Sequence, residues 1–168
     1  TNWYPPSFSP RTGLFYFSAW EDYATIYRSE EQEYTPGRAF LGGGFSVLAP
    51  APDAPTIGIG RTNPVNSWTD EVGHASLKAM DPNTGEEVWE FEQYDVSDSG
   101  MLTTVSDLLI TGGREGYFHV LDAKSGELLY HKNLGGQIVM APVTYMVNGV
   151  QYVSIISGNS LFTFALKG

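Results

Sequence analysis

Apolar positions along this chain fall in short runs of β-branched and aromatic residues, broken every few positions by Gly, Pro, Asn or Asp. No stretch keeps apolar residues at i, i+3, i+4 and i+7 for three turns, so the pattern predicts strands throughout and an all-β class. Three hairpins can be placed. Pro6-Ser7-Phe8 turns at Arg11-Thr12-Gly13 and returns as Leu14 to Ser18; Gly100 to Val105 turns at Ser106-Asp107 and returns as Leu108 to Thr111. Pro142 to Val147 turns at Asn148-Gly149, a strong two-residue turn signal, and returns as Val150 to Ile156.

A second hairpin type is repeated. Ala79-Met80-Asp81-Pro82-Asn83-Thr84-Gly85-Glu86-Glu87-Val88-Trp89 recurs as Val120-Leu121-Asp122-Ala123-Lys124-Ser125-Gly126-Glu127-Leu128-Leu129-Tyr130, at an offset of 41 residues. In each copy the Asp accepts bonds from turn N–H groups and the Gly supplies a positive φ. Trp89 and Tyr130, one strand later, suit a wedge between neighbouring sheets. A period of about 40 residues in an all-β chain predicts propeller blades, each a four-stranded antiparallel sheet.

The expected blades are one of residues 5–18 with 75–92, a second of 100–132, and a third of 141–166 that lacks its outer strand. Between them, residues 19–73 form a long excursion interrupting blade one. It carries Glu30-Glu31-Gln32-Glu33, Gly42-Gly43-Gly44 and the proline-rich 49–55. Such a loop is either functional or packs over the top of the fold. Closed propellers need four or more blades, so the reading is a partial β-propeller. Its open strand edges require either further N-terminal blades or self-association.

Composition then narrows the chemistry. The 168 residues are 42% hydrophobic and 14% aromatic, enough for a core. Nineteen acidic against nine basic residues leave a net charge of −10, which argues against a nucleic-acid footprint or a polybasic membrane anchor. No apolar run reaches the length of a membrane span. The absence of Cys excludes a disulfide framework, a thiolate zinc site and a cysteine nucleophile within these residues. The start at Thr1 rather than Met is expected to be a processed end or a cut inside a larger protein.

Candidate groups are few. His74, His119 and His131 show no ligand spacing and read as satisfied or solvated side chains. Glu86, Glu87, Glu90, Glu92, Asp95 and Asp98 are dense enough for a cation site, but a solvated face is the better reading. Gly112-Gly113-Arg114-Glu115-Gly116 joins two strands, so it is a turn rather than a phosphate loop. Arg114 there either aims into the propeller funnel or pairs with Glu115. Asn2 and Trp3, taken alone, read as a capped turn and a core aromatic.

Three segments resemble the pyrroloquinoline-quinone (PQQ) dependent alcohol dehydrogenases, which are eight-bladed quinoproteins. Asn2-Trp3-Tyr4-Pro5 is similar to the family's Asn-Trp-x-Pro segment. The turns from Asp81 to Trp89 and from Asp122 to Tyr130 resemble its docking repeat, and Ala141 to Tyr145 with Gly149 to Val153 its last blade. The order matches the C-terminal third of such an enzyme. The resemblance implies PQQ in the central funnel, with Asn2 near the quinone and Trp3 beside it. It also implies a calcium or lanthanide ion, hydride transfer from an alcohol, a cytochrome c acceptor, and a periplasmic or secreted setting. The family's metal ligands, its catalytic aspartate and its quinone-contacting arginine lie before residue 1, so no catalytic residue or metal ligand is matched here. Many members carry a Trp under the PQQ ring where this chain has Asp98, and another in a loop matched by Gly158-Asn159-Ser160. Either this branch builds the floor differently or it has lost the quinone. The expected function is thus that of a fragment, inactive alone, of a PQQ-dependent alcohol dehydrogenase; the alternative is a non-catalytic propeller scaffold.

Overall fold

The computed structural model describes residues 3–21, 23–29, 31–38, 40, 42–50, 74–93, 95 and 97–165, with backbone course only for 23–28, 43–50 and 74. The described residues contain strands and no helix. The first sheet is formed by β1 (Ser7–Ser9), β2 (Leu14–Glu21), β5 (His74–Met80) and β6 (Glu87–Gln93), in the order β1-β2-β5-β6. The second runs β7 (Leu102–Thr103), β8 (Leu108–Gly112), β9 (Tyr117–Asp122), β10 (Leu128–Asn133). The third has three strands, β11 (Val143–Val147), β12 (Val150–Ser157) and β13 (Ser160–Ala165). Every pairing is antiparallel. The architecture is a partial β-propeller, and among the described residues no sheet closes on itself.

The excursion leaves between two neighbouring strands of the first sheet. β2 runs on to Glu21, which pairs with His74. Beyond it, β3 (Tyr23–Ser29) and β4 (Gly43–Pro50) pair as a separate two-stranded ribbon. Of the segments singled out in the excursion, Glu30 and residues 51–55 lie outside the described residues.

Local chemistry sets the turns. Asp81 Oδ1 accepts from Asn83 N at 2.8 Å, and Asp122 Oδ1 accepts from Lys124 N at 2.9 Å and Ser125 N at 2.8 Å. The bonds from Ser125, backbone and side chain, hold the Asp122 carboxyl below the usual range. Asn148 and Gly149 have φ of 49° and 80°, the two left-handed residues of a primed hairpin turn. Gly113 to Gly116 forms a strand-joining turn closed by Gly116 N donating to Gly113 O at 3.1 Å.

Trp89 is the wedge between the first two sheets. Its Nε1 donates to Ala123 O at 3.2 Å, and Tyr16 Oη donates to the same carbonyl at 2.9 Å. Leu14, Leu77 and Ala79 join them against Met101, Leu109 and Leu121 of the second sheet. The second and third sheets pack through Ile110, Phe118, Ile138 and Ile155, with Phe118 stacked on Phe164 at 4.5 Å. Tyr130, at the place of Trp89 in the repeat, behaves differently. It is 48% exposed and lines an apolar groove of about 390 Å³ with Val120, Val153 and Phe164. The third sheet has no described outer turn on which Tyr130 can dock as Trp89 docks on the turn of the second.

Candidate functional site

The connections before β1, β7 and β11 meet the β8–β9 turn at one end of the sheets. Met101 N donates to Pro5 O at 3.0 Å, tying the first connection to the second. Ser99 Oγ donates to Met140 O at 3.1 Å, tying the second to the third, and Ser97 Oγ bonds Gly112 O at 3.1 Å beside the turn. Small residues let these backbones approach: a Cβ at Gly100 would lie 2.6 Å from Ala141 Cβ. Together they frame a cavity of about 310 Å³ lined by Trp3, Tyr4, Asp98, Arg114, Gln137 and Met140.

Trp3 stands at this cavity with 70% of its surface exposed. It is therefore no core aromatic. Its ring lies 4.6 Å from that of buried Tyr4, which in turn meets Trp20 at 5.9 Å. Trp20 is fixed by Nε1 donating to Ser97 O at 3.2 Å. Three mutually tilted aromatic rings thus run inward from Trp3, whose exposed ring offers an apolar surface to a flat ligand. Asn2, the other residue implied as cofactor-binding, lies outside the described residues.

Arg114 lines the cavity and pairs with Asp98 rather than with Glu115. Its Nε donates to Asp98 Oδ2 at 2.9 Å, Nη2 bonds the same oxygen, and both side chains are nearly buried. Glu115 instead accepts Asp95 N at 3.1 Å through Oε1. Asp98 Oδ1 is enclosed with no partner among the described residues. The cavity is walled by an ion pair, and Arg114, the one cation among its described lining residues, is committed to that pair.

The other candidates separate. Lys78 Nζ lies 2.9 Å from Glu21, 2.9 Å from Glu87 and 3.5 Å from Glu90, so these acids serve a strand-surface ion cluster. Among the described residues no group of three or more His, Cys, Asp or Glu comes together as a metal holder. His131 is exposed, and the side chain of His74 lies outside the description. His119 is neither satisfied nor solvated: it is 8% exposed and its Nδ1 has no partner. Burial, with the nearby His131, lowers its pKa to about 4.

Comparison with known proteins adds the following. The PQQ-repeat family model described as outer membrane protein assembly factor BamB matches residues 73–165. A quinoprotein ethanol dehydrogenase of Pseudomonas aeruginosa is 39% identical over 160 residues, 94% of this chain and 22% of its own length. A 1-butanol dehydrogenase (cytochrome c) of Thauera butanivorans is 32% identical over 188 aligned positions, covering 100% of this chain and 25% of the relative. Among solved structures, a europium-containing methanol dehydrogenase superposes with a TM-score of 0.68 at 26% identity, covering 90% of this chain and 24% of that one. The quinohemoprotein alcohol dehydrogenase from Comamonas testosteroni gives 0.66 at 28% identity, covering 94% of this chain and 22% of that one. The chain spans about a quarter or less of the length of each of these relatives.

Proposed function

This chain belongs to the PQQ-repeat propeller family, and on that premise we propose that it forms the C-terminal part of a quinoprotein alcohol dehydrogenase, supplying one wall of the cofactor funnel. The observation that carries the reading is the exposed ring of Trp3 at the 310 Å³ cavity, in contact with Tyr4, which in turn meets Trp20. A planar quinone can pack on such an exposed aromatic ring. Bound there, PQQ supplies the two-electron acceptor of alcohol oxidation. The residues of this chain hold and orient it: Trp3 by its ring, Asn2 by the amide the resemblance implies. Arg114 contributes no free charge to the cofactor's carboxylates because Asp98 already neutralises it. Calcium or a lanthanide, and the aspartate base, come from residues upstream in the resemblance. The chain by itself is therefore inactive.

The remaining partners follow the same reading. The edge of β13, unpaired among the described residues, and the groove at Tyr130 take up further blades from the N-terminal part of the propeller, or a second copy. The net charge of −10 suits a basic cytochrome c as electron acceptor, and the setting is periplasmic or secreted. Reduction of a redox dye by the chain with PQQ and calcium or a lanthanide tests the claim: turnover well above the cofactor-only blank refutes it. Quenching of tryptophan emission by PQQ, lost in Trp3→Ala, is the expected sign of the wall.

A second reading, a non-catalytic propeller acting as a scaffold, is favoured by one observation. The Asp98–Arg114 pair stands where many family members place an aromatic floor. Quinone absorbance in protein purified from a PQQ-producing host separates the two, since the scaffold carries none.

A further inference from the structure

On the side of the second sheet that faces the first, two histidines twelve residues apart are brought into direct register. His119 of β9 pairs with His131 of β10. Their side chains leave the same face of the ladder, and their ring centres lie 6.4 Å apart. Tyr117, two residues before His119 and so on the same face, packs at 5.9 Å from one ring and 5.5 Å from the other. Phe91 of the first sheet closes over His119 at 5.4 Å.

The two imidazoles have unlike surroundings. His119 is more than nine-tenths buried and makes no hydrogen bond in the described structure. Its Nδ1 is sealed inside, which leaves Nε2 as the nitrogen at the surface. His131 sits on an edge strand that is exposed along its whole length and is free to turn.

We propose that His119 and His131 form a two-imidazole site for a borderline divalent cation such as Zn²⁺, with water completing the coordination. Imidazole nitrogens bind zinc at about 2.0–2.1 Å, which sets the ring centres of two ligands on one tetrahedral ion roughly 5 Å apart. Closing from 6.4 Å takes a swing of about an ångström, available to His131 at the open edge. The excess of acidic residues concentrates cations near the surface. The site lies apart from the funnel wall and involves none of the residues assigned to it.

Calorimetric titration of the full chain with ZnCl₂ tests this. The expected result is one ion per chain, with affinity falling about tenfold or more in His131→Ala and unchanged in His74→Ala. Because His119 is part of the packed interface, His119→Gln is expected to lose zinc while also loosening the fold; His131→Ala, at an exposed position, decides the matter. In proton NMR, zinc is expected to shift the ring signals of His119 and His131 together. No saturable binding, equal affinity in wild type and His131→Ala, or a shift confined to one ring overturns the proposal.

Discussion

Alanine at Gly85 and alanine at Gly126 make the same chemical change at the same place in the two copies of the outer turn. The glycines have φ of +76° and +75°, so each substitution pays the same cost of about 1 kcal/mol for a left-handed L-residue. What surrounds them differs. A Cβ at Gly85 meets nothing within 4 Å, whereas one at Gly126 lies 2.7 Å from Trp89 Cε3 and 2.8 Å from Cδ2. The ring cannot retreat, because Nε1 is bonded to Ala123 O at 3.2 Å and Tyr16 packs against it at 5.8 Å. Overpacking of this kind costs a further 1–3 kcal/mol or so. Gly85→Ala is thus expected to destabilise by about 1 kcal/mol and Gly126→Ala by roughly 2–4 kcal/mol. Urea unfolding followed by circular dichroism reads the difference as a gap of about 0.5–1.5 M between midpoints, taking a slope of about 2 kcal/mol per molar. In a Trp89→Ala background the penalty at Gly126 is expected to drop to the backbone cost alone, a coupling of about 1–3 kcal/mol. Equal midpoints for the two alanine variants, or no coupling to Trp89, refutes the wedge as the joint between the first two sheets.

Two further outcomes follow from buried polar groups. The native pKa of His119, about 4, lies below its unfolded value near 6.5, so the native state buries a neutral ring and the unfolded state takes the proton first. Stability is therefore expected to fall as pH drops from about 6.5 to 4, by up to about 3 kcal/mol, and His119→Gln is expected to flatten this limb in urea midpoints measured against pH; an unchanged slope contradicts it. At the cavity wall, Arg114→Ala strands the Asp98 carboxylate without its partner and is expected to cost about 3 kcal/mol, while adding Asp98→Ala restores part of the loss. Strictly additive costs in the double variant count against a coupled pair.

How legible each feature was depends on the range of the interaction behind it. Strand positions and turns rest on neighbours in sequence: Asn148-Gly149 reads as a primed turn because two adjacent residues must both be left-handed, and the Asp-to-Gly turns because the carboxylate bonds the N–H two residues on, and at Asp122 also the one three residues on. Trp89 was legible as a wedge from its bulk and its place in the repeat. Trp3 was legible as a candidate only through a resemblance, since nothing local distinguishes it from a core aromatic. The pairing of His119 with His131 follows from the hairpin register, a signal present in the chain but weaker than helical or sequential ligand spacing.

By itself, then, the sequence determined the all-β class, the 41-residue repeat, the turns and the membership of a propeller that three sheets do not close. Tertiary structure decided which partner each side chain meets. Arg114 finds Asp98 rather than Glu115 because the connection before β7 and the β8–β9 turn fold over the same end of one sheet. Trp89 is buried and Tyr130 half-exposed, although they share a place in the repeat. The first has the turn of the next sheet to dock on, and the second faces a three-stranded sheet whose described residues offer none. Burial and pairing are properties of what lies across an interface, and the local pattern of a strand does not contain its neighbour.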